Sequence, residues 1–259
     1  MAAQLEKSGV GAGRAGGMFR ALSHRNFRLF WAGAFLSNTG TWMQAVAQSW
    51  LVYDLTKSPF WLGVDAFMST APGIILTLVA GVFADLVDRR RLLLFTQVGA
   101  GLSACVLAVL IVTGVIHVWM ILVLSFVTGC CFAIAGPSYQ AITIDLVGRE
   151  DLANAIALNS TQFQFSRVVG PSLAGVALKL LGLAGCFFAN ALSFVAVIVA
   201  LMMVRFDREP GAAARSVKDS RAVWNDLMEG LRYVRRRRRV LLLLVISGMT
   251  SLFGAPYFS

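Results

Sequence analysis

The chain has 259 residues, of which 58% are hydrophobic and only 14% charged, and it carries a formal net charge of +10. A soluble globular domain is about one quarter charged, so this composition excludes an ordinary soluble enzyme or binding module. Apolar runs of eighteen or more residues recur, which points to bilayer-spanning helices, and the two-residue alternation of a membrane β-barrel is missing.

In chain order, residues 1–17 are small, glycine-rich and patternless, and are expected to be a disordered tail. No short apolar core with a cleavage site precedes the first span, so a signal peptide is not expected. Residues 18–30, MFRALSHRNFRLF, alternate aromatic and basic residues and should lie at the membrane interface. Spans are predicted over 27–53, 60–84, 92–115, 118–140, 154–180 and 183–204, so that residues 18–205 form a six-span unit. Residues 206–239 read as a basic loop. Within it, VWNDLMEGLRYV puts Val223, Leu227, Leu231 and Val234 on one face of an amphipathic helix. A further apolar run, 240–259, reads as an unfinished seventh span.

Threading these spans from a cytoplasmic N-terminus puts twenty of the 23 basic residues on the inner side and only Lys57 and Lys179 on the outer side. That is the positive-inside bias of a multi-pass protein of the inner (plasma) membrane. The basic balance therefore reflects topology and anionic lipid, and nucleic acid is not an expected partner. The four cysteines fall inside predicted spans without metal-ligand spacing, so no metal or cofactor is expected. No phosphate loop, nucleophile elbow or zinc motif is present, and nothing argues for an enzyme.

Several polar residues stand at membrane depth. Ser37, Thr41, Gln44 and Gln48 share one face of span one. Asn159, Gln162, Ser166 and Arg167 fall on a broad face of span five, with Arg167 about 20 Å from the inner end at about 1.5 Å per residue. An arginine there costs about 2.5–3.5 kcal/mol or more if it faces lipid, so it should face protein or a wet cavity. It either binds substrate or makes a structural hydrogen bond. Asp65 is the one carboxylate well inside a span and a natural partner for Arg167. It is either a proton carrier or a solvated outer-end carboxylate. The glutamines either line a site or join helices.

Two stretches carry a resemblance. GVFADLVDRRRLLL begins at Gly81 and places Gly81, Asp85, Arg89 and Arg90 in the pattern G-x-x-x-D-x-x-x-R-R after span two. SRVVGPSLAG, from Ser166, places Gly170, Pro171 and Gly175 in a G-x-x-x-G-P-x-x-G-G-like stretch of span five, where Ser166 and Ala174 replace glycines. These resemble the major facilitator superfamily. Asp88 stands where the pattern usually has glycine, and it favours the branch of exporters that includes the enterobactin exporter. The resemblance implies an all-α membrane protein: a six-helix transmembrane bundle of two inverted three-helix repeats plus a partial seventh span. It implies a conformational latch of Gly81, Asp85, Asp88, Arg89, Arg90 and Asp145, and a hinge or packing role for Gly170, Pro171 and Gly175. It implies a secondary active transporter that exports a small amphipathic molecule, such as a siderophore or drug, with protons as the coupling ion. Arg167, Asp65, Gln44, Gln48, Asn159 and Gln162 are the candidates for substrate binding or coupling. The partners are the lipid bilayer, the small-molecule substrate, and a second six-span half or another chain. The alternatives are a non-transporting fragment and a half-unit that pairs with another chain.

Overall fold

The computed structural model describes residues 19–86 and 88–204, with the side chains of 74, 75 and 77–86 excepted. The expected tail 1–17, basic loop 206–239 and apolar run 240–259 lie outside the described residues. Among the described residues every regular element is helical. A 3-10 turn, Arg20–Ser23, is followed by α1 (Arg25–Thr56), α2 (Pro59–Leu86), α3 (Arg89–Val112), α4 (Val118–Val147) and α5 (Leu152–Met203).

Local chemistry sets the breaks. α1 stops at Lys57, which takes a left-handed conformation (φ 52), and α2 opens on Pro59, whose missing N–H costs nothing at a first helical position. Asp88 caps α3 by accepting from the Arg91 backbone N–H at 2.8 Å. This gives a physical reason for an aspartate at that position of the loop. The 52-residue run of α5 is interrupted at Gly182, whose φ of 68 and ψ of −178 are accessible only to glycine. The run is therefore two helical arms, 152–181 and 183–203, where two separate spans are predicted.

By length and composition α3, α4 and α5 are each apolar enough to cross a membrane. Large apolar side chains such as Phe95, 74% exposed, cover the outside of the bundle. Water would not tolerate that pattern, but lipid or a protein partner would.

The pairings follow small residues. α1 packs against both arms of α5, α2 against α4, and α3 against α4 and the second arm of α5. Two apolar clusters form the core. One gathers Phe27, Phe30, Leu93, Ile142, Leu158 and Leu201, and the other Leu51, Val52, Leu107, Ile121, Cys186 and Phe187. Between the two clusters, most of the buried residues are small or polar: Ser37 on α1, Thr96 and Ser103 on α3, Ser125 on α4, Gln162 and Ser166 on the first arm of α5, and Asn190 and Ser193, beside Phe194, on the second. The bundle thus has a polar middle layer between two apolar ends. Polar groups at membrane depth hydrogen-bond across helices because no water is available to satisfy them.

Candidate functional site in the polar middle layer

Asp65 on α2 is buried, 8% exposed, rather than solvated. Ser125 of α4 donates to its Oδ1 at 2.5 Å, and Gln48 of α1 donates Nε2 to its Oδ2 at 2.8 Å and to its Oδ1 at 3.1 Å. The same nitrogen lies 2.9 Å from the Ser125 Oγ. An amide has two N–H groups, so one serves the carboxylate and the other serves Ser125. Three helices converge on one carboxylate through neutral donors. Asp65 makes no ion pair with Arg167, the partner expected for it.

Arg167 sits instead over the Trp42 ring, with its guanidinium carbon 5.4 Å from the ring centroid. Trp42 also meets Phe163 edge-on at 5.9 Å. Stacking on an aromatic face is a means of accommodating a guanidinium away from water. On the same arm Gln162 is buried, 2% exposed, and its Nε2 has no hydrogen-bond partner among the described residues. Asn159 donates to the Thr143 Oγ1 at 3.2 Å.

On α1, Thr41 bonds the Ser37 carbonyl at 2.9 Å and Gln44 donates to Gln48 at 3.5 Å. Gln44 also accepts from Asn190 Nδ2 at 2.6 Å. Asn190, Ser193 and Ser125 went unremarked in the sequence. Their signal is a lone amide in the apolar run CFFANALSFV, and lone hydroxyls in equally apolar surroundings.

The stretch from Ser166 packs on α1. Ser166, Gly170 and Ala174, spaced by four residues, are buried there. Thr39 donates to the Ser166 Oγ at 3.1 Å. A Cβ on Gly170 would lie 2.5 Å from the Trp42 Cβ and 2.8 Å from the Thr39 carbonyl oxygen. Gly175 faces away, with nothing within 4 Å of such a Cβ. Ala174 therefore occupies the packing position, not Gly175. Pro171 lies inside the helix.

At the end of the bundle where α3 begins, Arg89 Nη1 lies 3.5 Å from Asp145 Oδ2. Arg90 donates Nη2 to the Met202 carbonyl at 2.9 Å, capping one of the open carbonyls at the end of α5. Gly81 and Asp85 belong to α2, and their side chains lie outside the described residues. A second cluster at the same end escaped the sequence reading. The buried Asp151 accepts from Arg20 Nε at 2.9 Å and pairs with His24 Nε2 at 2.8 Å, and Asn154 accepts from the Ala21 N–H at 2.9 Å. Together they dock the N-terminal turn on the start of α5.

A family model described as "Transmembrane secretion effector" matches residues 16–256. Similar proteins include the staphyloferrin A transporter of Staphylococcus aureus, 29% identical over 176 residues, which are 67% of this chain and 44% of that one. The multidrug efflux pump Tap of Mycolicibacterium fortuitum is 28% identical over 78% of this chain and 50% of its own. The enterobactin exporter EntS of Salmonella typhimurium is 25% identical over 73% of this chain and 46% of its own. The chain spans about half the length of the curated relatives it matches. No solved structure matches. With its all-helical architecture and its apolar helices, the chain belongs to the transmembrane secretion effector family of major facilitator transporters.

Proposed function

We propose that the chain is the first six-span half of a proton-driven exporter of a small amphipathic molecule, with its N-terminus in the cytoplasm of a plasma-membrane protein. Transport belongs to an assembly with a second six-span half, on the same or another polypeptide. The observation that carries this reading is the buried Asp65, held by Gln48 and Ser125 without a cation. A carboxylate taken out of water is costly unless paired or neutralised, and intramembrane acids mark proton or substrate pathways. The names of the relatives, a siderophore transporter, a siderophore exporter and a drug pump, support amphipathic cargo. Arg167, stacked on Trp42, offers a cation beside an aromatic face to an anionic or aromatic part of the cargo.

The packing also supports two inverted three-helix repeats. If α1, α2 and α3 correspond to α4 and the two arms of α5, the pairing of α1 with the first arm becomes the pairing of α4 with α2. The pairing of α1 with the second arm becomes that of α4 with α3. All four pairings occur. Asp85, Arg89 and Asp145 then form the latch at the cytoplasmic face, and the second half supplies the difference between states that any latch requires.

The test is export by the complete assembly with Arg167→Ala. Loss or redirection of export with the protein still inserted supports the reading. Unchanged export of every compound the wild type handles would remove Arg167 from the site.

A further inference from the structure

From Asp65 the hydrogen bonds continue beyond the carboxylate, and their direction is fixed at one end. An ionised carboxylate only accepts, so Gln48 must turn its Nε2 toward Asp65. That turns Gln48 Oε1 toward Gln44, which donates Nε2 to it at 3.5 Å. Gln44 Oε1 then accepts from Asn190 Nδ2 at 2.6 Å. Asn190 Oδ1 in turn accepts from the Ser193 hydroxyl at 3.0 Å. Every donor along this path points toward Asp65. The path runs from α2 through α1 to the second arm of α5, and Asn190 and Ser193 stand where that arm packs against Gly40 of α1. A Cβ on Gly40 would lie 2.6 Å from both Asn190 Oδ1 and Ser193 Oγ.

We infer that Asp65, Gln48, Gln44, Asn190 and Ser193 form a directional hydrogen-bond relay that reports the protonation of Asp65 to the second arm of α5. The inference rests on Asp65 being the proton site of the proposed exporter, and it assigns Asn190 and Ser193 as positioning residues for coupling.

The relay has two consistent settings. When a proton from the aqueous phase binds a carboxylate oxygen, Asp65 gains an O–H and needs an acceptor. Gln48 supplies one by turning its Oε1 to Asp65. Its Nε2 then faces the Gln44 Nε2, donor against donor, so Gln44 turns as well. The same conflict turns Asn190, whose Nδ2 then faces Ser193. The Ser193 hydroxyl accepts it and keeps its own proton on the Asn190 backbone carbonyl, 2.7 Å away. Every side chain on the path keeps at least one partner in either setting, while Gln48 exchanges its bond to Ser125 for one to Gln44 when it turns, so the two settings can interconvert inside a dry bundle. The 3.5 Å link between Gln44 and Gln48 is the longest and the first to open. Ser125 touches Asp65 but lies off the path, so it tunes the carboxylate without carrying the signal.

Of the charged groups nearest this end of the bundle, Asp54 and Lys57 pair with each other at the end of α1, His117 stands at the N-cap position of α4 without a side-chain cap bond, and Lys179 and Arg167 belong to the first arm of α5. None of them hydrogen-bonds to Asp65, whose partners are Gln48 and Ser125.

The test is difference infrared spectroscopy of the 259-residue chain in lipid, titrated from mildly acidic to mildly alkaline pH. The relay predicts that a protonated-carboxyl band and side-chain amide carbonyl bands change together, and that Asp65→Asn abolishes both changes. Asn190→Ala, which leaves every contact of Asp65 intact, should remove about one third of the amide signal, one of three amides, or more if the chain is cooperative. Isotopically labelled asparagine should shift part of the amide signal in the unmutated protein, and Gln44→Leu should erase that shift. A carboxyl band that titrates without amide changes would overturn the relay, as would amide changes that do not include asparagine. Failure of the underlying reading looks different: Asp65→Asn in the complete assembly would then export normally while the infrared signals behave as described.

Discussion

Replacing Gly170 with alanine tests the packing of α1 on α5 at its tightest point. The new Cβ would lie 2.5 Å from the Trp42 Cβ, 2.8 Å from the Thr39 carbonyl oxygen and 3.0 Å from the Met43 nitrogen. Two of these atoms are backbone and cannot rotate away. Carbon atoms attract at roughly 3.5–4.0 Å, so the helices must part by about 1 Å, and a gap of that size forfeits about a quarter to a half of each contact well. Overpacking of this kind costs about 1–3 kcal/mol. Alanine returns up to about 1 kcal/mol of helix propensity. Gly175→Ala is the matched control, because its Cβ would meet nothing within 4 Å and the propensity gain is the same. The difference between the two variants therefore isolates the interface: about 1–3 kcal/mol, or roughly 5- to 150-fold in the unfolding equilibrium. Gly170 also precedes Pro171, and a Cβ there strains the helix locally. Repeating the pair of substitutions in a Pro171→Ala background removes that local contribution and leaves the interface cost. The assay is reversible unfolding in mixed micelles followed by circular dichroism. Equal stability of the two variants in both backgrounds would refute the close approach of α1 and α5.

Asp88→Ala removes the cap of α3 and should cost about 1 kcal/mol, whereas Asp88→Gly, the residue usual in the loop pattern, should cost only a few tenths; the same unfolding assay ranks them. Arg89 and Asp145 are partly exposed at 3.5 Å. A double-mutant cycle on Arg89→Gln and Asp145→Asn in this chain should give a coupling energy below about 1 kcal/mol, and the latch proposal requires a larger value once the second half is present. Asp151→Ala should release the N-terminal turn, seen as faster proteolysis near Arg20, and should destabilise by on the order of 1–2 kcal/mol, since Arg20 and His24 lose their shared buried partner.

Much of the helical layout was legible because bilayer thickness imposes long apolar runs, and the structure places helices over all six. The interruption at Gly182 falls between the two runs predicted there. The face of Ser37, Thr41, Gln44 and Gln48 also followed from helical spacing, but its partner Asn190 lies 146 residues from Gln44 in the chain, beyond the reach of any local pattern. The expected pairing of Asp65 with Arg167 came from matching opposite charges. Neutral donors satisfy Asp65 instead: one amide and one hydroxyl occupy its oxygens, and Arg167 finds an aromatic face. Gly175 was matched by motif, whereas the four-residue period of Ser166 and Gly170 leads to Ala174. The docking of Arg20 and His24 on Asp151 joins two polar segments that, read separately, look like ordinary loop composition.

The central claim is that a proton on Asp65 drives export. The most direct measurement reconstitutes the complete assembly, this chain with a second six-span half, in liposomes and follows cargo movement under an imposed pH gradient. The wild type should move cargo against its gradient only while the pH gradient lasts, and proton flux should run opposite to it. Asp65→Asn should still bind cargo and equilibrate it across the membrane, with gradient-driven accumulation lost. Accumulation by Asp65→Asn at the wild-type rate under the same pH gradient would contradict the account.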